Sequence, residues 1–522
     1  IHAAGVVIST TPLTDFTAVQ LESGGERVIT QYEMNSVQTA GVLKMDFLGI
    51  RNLAILGHAV EIIEKTTSQK IDVYNLYPWD DKKTYEMLAR GETVGVFQLS
   101  SSGMTRYLKE LVPSTIFDIM VMIALFRPGP MDNIDEYIAR KHGRKPAVYM
   151  HPKMKDFLDT TFGVLVYQDD LLMTAIEVAG YNWEEVDKFR KAVGKKIPEE
   201  MAKQHIIFVD GCQKHGGMTK EKAEEIWQLF EPFQGYGFNK AHASSYAVVA
   251  YQTAYLKANF PVQYMTAILI ADSGDIDKVP EVIYEAERMG VRVLPPDINE
   301  SFKNFAMITS GEHHPQPLLH KAGSSSDDAI TPPFGGGARG GAFRYDAHIR
   351  FGLNGIKNLG EHIAEAIYRE RKANGKYKDL QDLLTRVTDK DLNKKSLDSL
   401  IKCGAMDSFG FDRGYLAGNI ENILAYVKQI HEKKSLNQNS LFAGTNIDMS
   451  TKIQLVPAPN ASEEEKLLWE KELLGLYVTS HPFKVYQEIM KDVLTPLKDL
   501  SSQTRNQWVV VGGMIESTKK KI

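Results

Sequence analysis

A single compositional break limits what this chain can fold into. The runs Gly311-Glu-His-His-Pro-Gln-Pro317, Gly323-Ser-Ser-Ser-Asp-Asp328 and Pro332-Pro-Phe-Gly-Gly-Gly-Ala-Arg-Gly-Gly341 are polar and glycine-rich, with no apolar periodicity. Such a stretch cannot bury enough apolar surface to offset the entropy of ordering it. Residues 306–348 are therefore expected to be a disordered surface insertion between two ordered stretches. His313, His314 and His320 within it lack any fixed ligand spacing and predict no metal site, while Arg339 and Arg344 remain available for a basic contact.

The 522 residues exceed one hydrophobic core, so three or more domains are expected. A hydrophobic content of 43% and a charged content of 24% belong to an ordinary water-soluble chain. The formal net charge of -5 is neutral on nucleic acid, because an acidic surface can still carry a basic groove. Cys212 and Cys403 are far apart and form neither a disulfide pattern nor a zinc pattern, which fits a reducing cytosol. With no long apolar run and no signal-peptide start, a cytoplasmic protein with no membrane partner is expected. The first residue is not Met, and Lys519-Lys-Lys-Ile522 follows a strand-like run. Both ends therefore read as cut from something longer.

Local chemistry concentrates in a few places. Gly235-Tyr-Gly-Phe-Asn-Lys-Ala-His-Ala-Ser-Ser-Tyr246 runs into the amphipathic stretch Ala247 to Phe260. Lys240, His242 and Tyr246 gather a cation, an imidazole and a phenol at a helix start, where phosphates bind well. The same pattern also suits a capped structural helix. Helical phase turns Val248, Tyr251, Tyr255 and Leu256 inward. Between Gly41 and Phe47 the chain alternates, with Leu43, Met45 and Phe47 on a face expected to be buried and Lys44 and Asp46 opposite. Asp46 suits Mg²⁺ and Lys44 a phosphate oxygen, although the spacing equally allows a surface ion pair.

The segments Val42-Leu-Lys-Met-Asp-Phe-Leu-Gly49, Phe97-Gln-Leu, Ala124-Leu-Phe-Arg-Pro-Gly-Pro130 and Phe189-Arg-Lys-Ala-Val-Gly-Lys-Lys196 precede the Gly235 to Tyr246 stretch in one fixed order. In these words and their order the chain resembles the C family of bacterial replicative DNA polymerases, the DNA polymerase III alpha subunits. The resemblance spans nearly the whole chain except residues 309–346.

The resemblance implies template-directed DNA synthesis, with Mg²⁺ as cofactor and a primed DNA template and dNTPs as partners. Asp46 matches the third catalytic carboxylate and a metal ligand on a palm strand, with Lys44 beside the incoming triphosphate. Arg190 and Lys191 match the triphosphate-binding segment, where many members carry a second Arg; a lone run of cations is also a common solvated face. Lys240, His242 and Tyr246 match the element beside the nascent base pair. The family's other two aspartates belong to an Asp-x-Asp word upstream of this chain. Asp275-Ile-Asp277 reads instead as a helix-capping turn, so the catalytic set is incomplete here. Arg127-Pro-Gly-Pro130 is a stiff turn, either a wall of the nucleotide pocket or a helix terminator. Gly163 to Val166 reads as a strand closed by Tyr167-Gln168, and Asp169 and Asp170 receive no role. Ser100 stands where the family often has Glu.

Further along, Gly355-Ile-Lys-Asn-Leu-Gly360 resembles a helix-hairpin-helix turn, with Gly355, Lys357 and Gly360 as DNA-backbone contacts. An ordinary helix turn reads the same way. Leu392 to Gly410 resembles a second unit, with Lys394 and Lys395 as phosphate partners. Gln438-Asn-Ser-Leu-Phe442 resembles a sliding-clamp motif built on Gln438, Leu441 and Phe442, unless Leu441 and Phe442 pack back on the core. Trp508-Val-Val-Val-Gly-Gly-Met-Ile515 reads as the first strand of an OB fold that needs five.

The expected fold is α+β, multidomain and predominantly helical. It comprises a partial palm sheet (1–52), helical fingers (53–305), the insertion (306–348), a tandem helix-hairpin-helix and clamp-binding region (349–445), a linker (446–462), a helical bridge (463–498) and the start of an incomplete OB fold (499–522). Other replicase subunits, a proofreading exonuclease and a clamp loader, are the further partners the resemblance implies. The competing expectation is a non-enzymatic DNA- and clamp-binding module. A metal nuclease is a weaker third, because the His and Asp clusters of the family's upstream phosphoesterase-like domain are missing from this sequence.

Overall fold

The computed structural model describes residues 4–195, 198–230, 237–275, 277–309, 347–389, 391–438, 452–495 and 508–515. The chain divides into two compact units, 1–54 and 55–522. Among the described residues it is predominantly helical, with two two-stranded sheets and one three-stranded sheet.

In the first unit, β1 (Gly5–Ile8) pairs antiparallel with β4 (Leu43–Asp46), and β2 (Val19–Leu21) with β3 (Val28–Thr30). Glu33 caps the short helix Met34–Thr39 by accepting the N–H groups of Asn35 and Ser36. The expected burial of Leu43, Met45 and Phe47 does not hold. Register puts Val6 opposite Met45 and Ile8 opposite Leu43, and all of these side chains, with Phe47, are exposed. The most covered side chain of β4 is that of Lys44, which retains 9% of its accessibility. A two-stranded ribbon has too little backing to cover both faces, so alternation marks the strand without deciding which side is dry.

In the second unit the helix Lys240–Asn259 packs against Ile116–Leu125 and Lys82–Ala89. It is not the one-sided helix expected. Tyr251 and Leu256 are buried as anticipated and Val248 and Tyr255 half-buried, but Gln252, Thr253, Ala254 and Lys257 are buried too. Polar residues are tolerated inside because each finds a partner. Gln252 Nε2 donates to Val73 O (2.9 Å), Thr253 Oγ1 accepts from Phe97 N (3.1 Å) and Tyr251 Oη accepts from Asp81 N (2.9 Å).

One apolar cluster runs from Ile55 to Leu476 and is shared by segments on both sides of the compositional break. A second gathers Phe189, Phe208, Trp227 and Phe230 from the helices Trp183–Lys195, Pro198–Lys214 and Lys220–Gln228 and the residues just after them. The interval called an insertion begins and ends in order: β6 (Ala306–Thr309) pairs antiparallel with β7 (Ala347–Arg350), which also pairs parallel with β5 (Val293–Leu294). Alternating apolar residues at its two edges meet across the break, which a scan along the chain cannot register; residues 310–346 lie outside the described residues.

Two more strand expectations fail. Gly163 to Val166 forms no ladder; Tyr167 makes one isolated parallel bridge to Phe238, and the Asp170 carboxylate takes the N–H groups of Val166 and Tyr167. Among the described residues Trp508 to Ile515 belongs to no strand: Thr495 N donates to Val510 O (2.7 Å) and Trp508 is fully exposed, while 496–507 and 516–522 lie outside the described residues. A strand-like sequence forms a ladder only where another strand edge is placed beside it. The described part of the linker, from residue 452 onward, is also more fixed than expected. Val456 exchanges two hydrogen bonds with the Asn419 side chain, and Ala461 N donates to Asp412 Oδ1 (2.7 Å).

Candidate functional site

In the first unit Lys44 Nζ lies 2.6 Å from Asp46 Oδ1, so the strand presents the pair as a salt bridge. Asp46 is about half exposed and offers one hard oxygen donor. No group of three or more His, Cys, Asp or Glu side chains that could hold a metal occurs among the described residues. Asp46 alone does not fit a two-ion Mg²⁺ site.

In the second unit the start of Lys240–Asn259 is the most built-up place. Asn239 caps it, with Oδ1 accepting from His242 N at 2.9 Å, and Asp169 Oδ2 accepts from Lys240 N, also at 2.9 Å. These bonds use two of the N–H groups a helix leaves unpaired at its start. The Gln168 N–H donates to Phe238 O (2.9 Å), so this start is joined to that of the helix Gln168–Glu177. A Cβ added at Gly237 would meet Gln168 Cβ at 2.8 Å, which is why a glycine stands there.

An aromatic ladder climbs this end. Phe97 and Tyr246 have ring centroids 5.1 Å apart, Tyr246 and His242 4.0 Å, and His242 and Phe238 5.4 Å. The Arg127 guanidinium sits 5.0 Å from the Phe238 ring centre, and Lys240 Nζ 5.5 Å from that of Tyr167. His242 is exposed, Tyr246 and Lys240 half-buried. Lys240, His242 and Tyr246 are thus brought together, and Arg127 joins them. Beneath, burial raises the Asp170 carboxyl to about 6 against the pull of its two backbone hydrogen bonds.

Arg190 and Lys191 lie on the helix Trp183–Lys195, both engaged by Asp187 at 2.8 and 2.7 Å and both substantially exposed. Their side-chain hydrogen bonds and ion attraction hold the Asp187 carboxyl below its usual range.

A Cβ at Gly355 would meet the Phe351 ring at 2.7 Å and the Phe305 ring at 3.3 Å, so this glycine is demanded by core packing. Gly360 differs: it stands at the start of the helix Glu361–Asn374, has no side-chain cap and faces open space. Lys357 is exposed, while its N–H is taken by Leu473 O (2.9 Å). Lys394 and Lys395 open the helix Lys394–Lys402, capped by Asn393. Lys394 is paired with Glu421 at 2.5 Å, whereas Lys395 is exposed. Of the clamp motif, Gln438 is the last described helical residue; its side chain, Leu441 and Phe442 lie outside the described residues.

Asp169, Phe97 and Phe238 were missed as site residues. The spacing Tyr167-x-x-Asp170 is a helix-start signature that could have assigned Asp170. Nothing in the sequence links Asp169 to Lys240, because that contact is tertiary.

The fold and these sites define a predominantly helical protein with a helix-hairpin-helix region. Residues 1–49 match the bacterial DNA polymerase III alpha NTPase domain, 52–216 the bacterial DNA polymerase III alpha subunit finger domain, and 290–416 the helix-hairpin-helix motif. The chain is 38% identical over 530 residues to DNA polymerase III subunit alpha of Thermus aquaticus, covering 100% of this chain and 40% of that protein. The subunit of the same name from Borreliella burgdorferi is 38% identical over 524 residues (99% and 42%), and that of Escherichia coli K12 35% over 533 (99% and 43%). The chain belongs to the bacterial DNA polymerase III alpha subunit family, and it spans about two fifths of the length of the curated relatives it matches.

Proposed function

We propose that this chain is the nucleotide- and DNA-holding part of a replicative DNA polymerase, which joins dNMP from a dNTP to a primer 3'-hydroxyl under the direction of a template. The observation that carries the reading is similarity along the whole chain to proteins named DNA polymerase III subunit alpha. Geometry supports it through the cationic and aromatic cluster at the start of Lys240–Asn259.

In this reading residues 1–52 belong to the palm, 53–305 to the fingers and 349–445 to the helix-hairpin-helix and clamp-binding region. Lys240, His242 and Tyr246 border the incoming dNTP. Arg190 and Lys191 neutralise its phosphates, and Lys44 is the phosphate-neutralising cation of the palm strand. Exposed surface ion pairs are weak, so Asp187 can release its two cations to a triphosphate at small cost. Gly360 offers free backbone N–H groups at a helix start, and Lys357, Lys394 and Lys395 add charge toward DNA phosphates. Asp46 is the residue here that would hold Mg²⁺, whose chemistry when bound would be activation of the primer hydroxyl and stabilisation of the leaving pyrophosphate. Asp46 would supply one oxygen donor, and carboxylates beyond it are required. The sliding clamp, the proofreading exonuclease and the clamp loader are the expected protein partners, in the cytoplasm. No helix among the described residues is long and apolar enough to cross a membrane.

A second reading, a DNA- and clamp-binding module without catalysis, is favoured by the Lys44–Asp46 salt bridge, which neutralises the one candidate catalytic carboxylate. Primer extension by this chain with Mg²⁺ and dNTPs, with Asp46→Asn as control and DNA binding recorded in the same samples, separates the two. Extension lost in the variant supports catalysis around Asp46. Salt-sensitive binding without extension supports the module.

A further inference from the structure

We propose that Asp169 is a positioning residue for the incoming nucleotide: its carboxylate fixes the first turn of Lys240–Asn259 and thereby sets Lys240 and His242 toward the triphosphate. This inference rests on the polymerase reading above.

Three observations carry it. Asp169 Oδ2 accepts the Lys240 N–H at 2.9 Å, a contact between residues distant in sequence. The same junction is closed by Gln168 N to Phe238 O, at 2.9 Å, and by the Tyr167–Phe238 bridge. Lys240 Nζ then rests over the Tyr167 ring, in the residue that precedes the Gln168–Glu177 helix. The starts of two helices are thus locked in register, and Asp169 holds the second by its first N–H. A negative charge beside a phosphate-binding lysine opposes phosphate. Its value at this position is therefore geometric, as a hydrogen-bond acceptor.

That separates two substitutions. Asp169→Asn keeps an oxygen acceptor and removes the charge; Asp169→Ala removes both. The measurement is binding of dATP with Mg²⁺ to the 522-residue chain on a primed template whose next base is thymine, together with amide exchange of residues 239–243. Loss of a capping acceptor corresponds to about tenfold in the opening of a first turn. Asp169→Ala is expected to speed exchange of the Lys240 amide by about that factor and to weaken dATP binding by roughly three- to tenfold. Asp169→Asn is expected to keep the exchange of the wild type and to bind dATP as tightly or more tightly.

Wild-type affinity in Asp169→Ala overturns the inference and leaves the polymerase reading standing. Equal weakening in both variants also overturns it, because the acceptor is then not what matters. Absence of dATP binding by the wild-type chain overturns the polymerase reading and this nucleotide role with it.

Discussion

Lys257 of the helix Lys240–Asn259 and Glu285 of the helix Lys278–Arg288 form an ion pair 2.5 Å long in which both side chains are shut away from solvent. The same ammonium donates to Glu92 O and Val94 O at 2.9 and 2.8 Å, so its three protons are all used. Burial lowers it to about 8, which leaves it charged at neutral pH. Removing one member of a buried pair strands the other and costs about 3–5 kcal/mol. Arg288, 2.7 Å from the second Glu285 oxygen, relieves part of that penalty. Lys257→Met is expected to destabilise by about 3 kcal/mol in denaturant unfolding, and Lys257→Met with Glu285→Gln by clearly less than the single change.

Glu287 gives a pH signature of the opposite kind. Its buried Oε2 has no hydrogen-bond partner among the described residues, and burial raises the carboxyl to about 7, against some attraction from Arg292. The folded state therefore holds this proton more tightly than the unfolded chain, whose carboxyl titrates near about 4.3. The stability it contributes is complete below that value and lost as pH rises through about 7. Melting temperatures from pH 5 to 8 are expected to fall more in the wild type than in Glu287→Gln, which stays neutral throughout. Parallel curves would contradict this.

Asp187 competes with phosphate for Arg190 and Lys191. All three side chains are 45% or more exposed, so the pairs are worth about 0–1 kcal/mol. Asp187→Asn is expected to tighten dNTP binding by up to a few fold at low salt, with the advantage shrinking at high salt. Arg190→Ala is expected to weaken binding more than Lys191→Ala, because the guanidinium can hold two oxygens at once.

Exposed Lys395 and paired Lys394 should differ on DNA. Each phosphate contact contributes roughly 0.9 to the slope of log affinity against log salt. Lys395→Ala and Lys357→Ala are each expected to lower the slope by about that amount, and Lys394→Ala by less, since contact with DNA first requires release from Glu421.

Gln438, Leu441 and Phe442 are proposed to bind a sliding clamp. Replacing all three by Ala is expected to abolish clamp binding in a pull-down with a purified bacterial clamp and leave the melting temperature unchanged. A large drop in melting temperature would mean that the two apolar residues pack into the core.

Some of this protein was determined by local sequence alone. The helical character, the cap before Lys240, the apolar helix ahead of Arg127 and the capping turn at Asp275 all follow from short-range chemistry: periodicity, turn residues and side chains that reach backbone N–H groups within a few positions. Ordered motifs carried the family as well, because long words in one order encode many positions at once. Tertiary structure decided the rest. It left Leu43 and Met45 exposed, buried Lys257 within the helix Lys240–Asn259, joined β6 to β7 across residues 310–346, left Trp508 to Ile515 outside any strand among the described residues, and packed Gly355 against the rings of Phe351 and Phe305. The physical reason is the same in each case. Whether a side chain is dry, or a strand is paired, depends on what another part of the chain places against it, and Asp169 meeting the Lys240 amide is a contact that no local pattern contains.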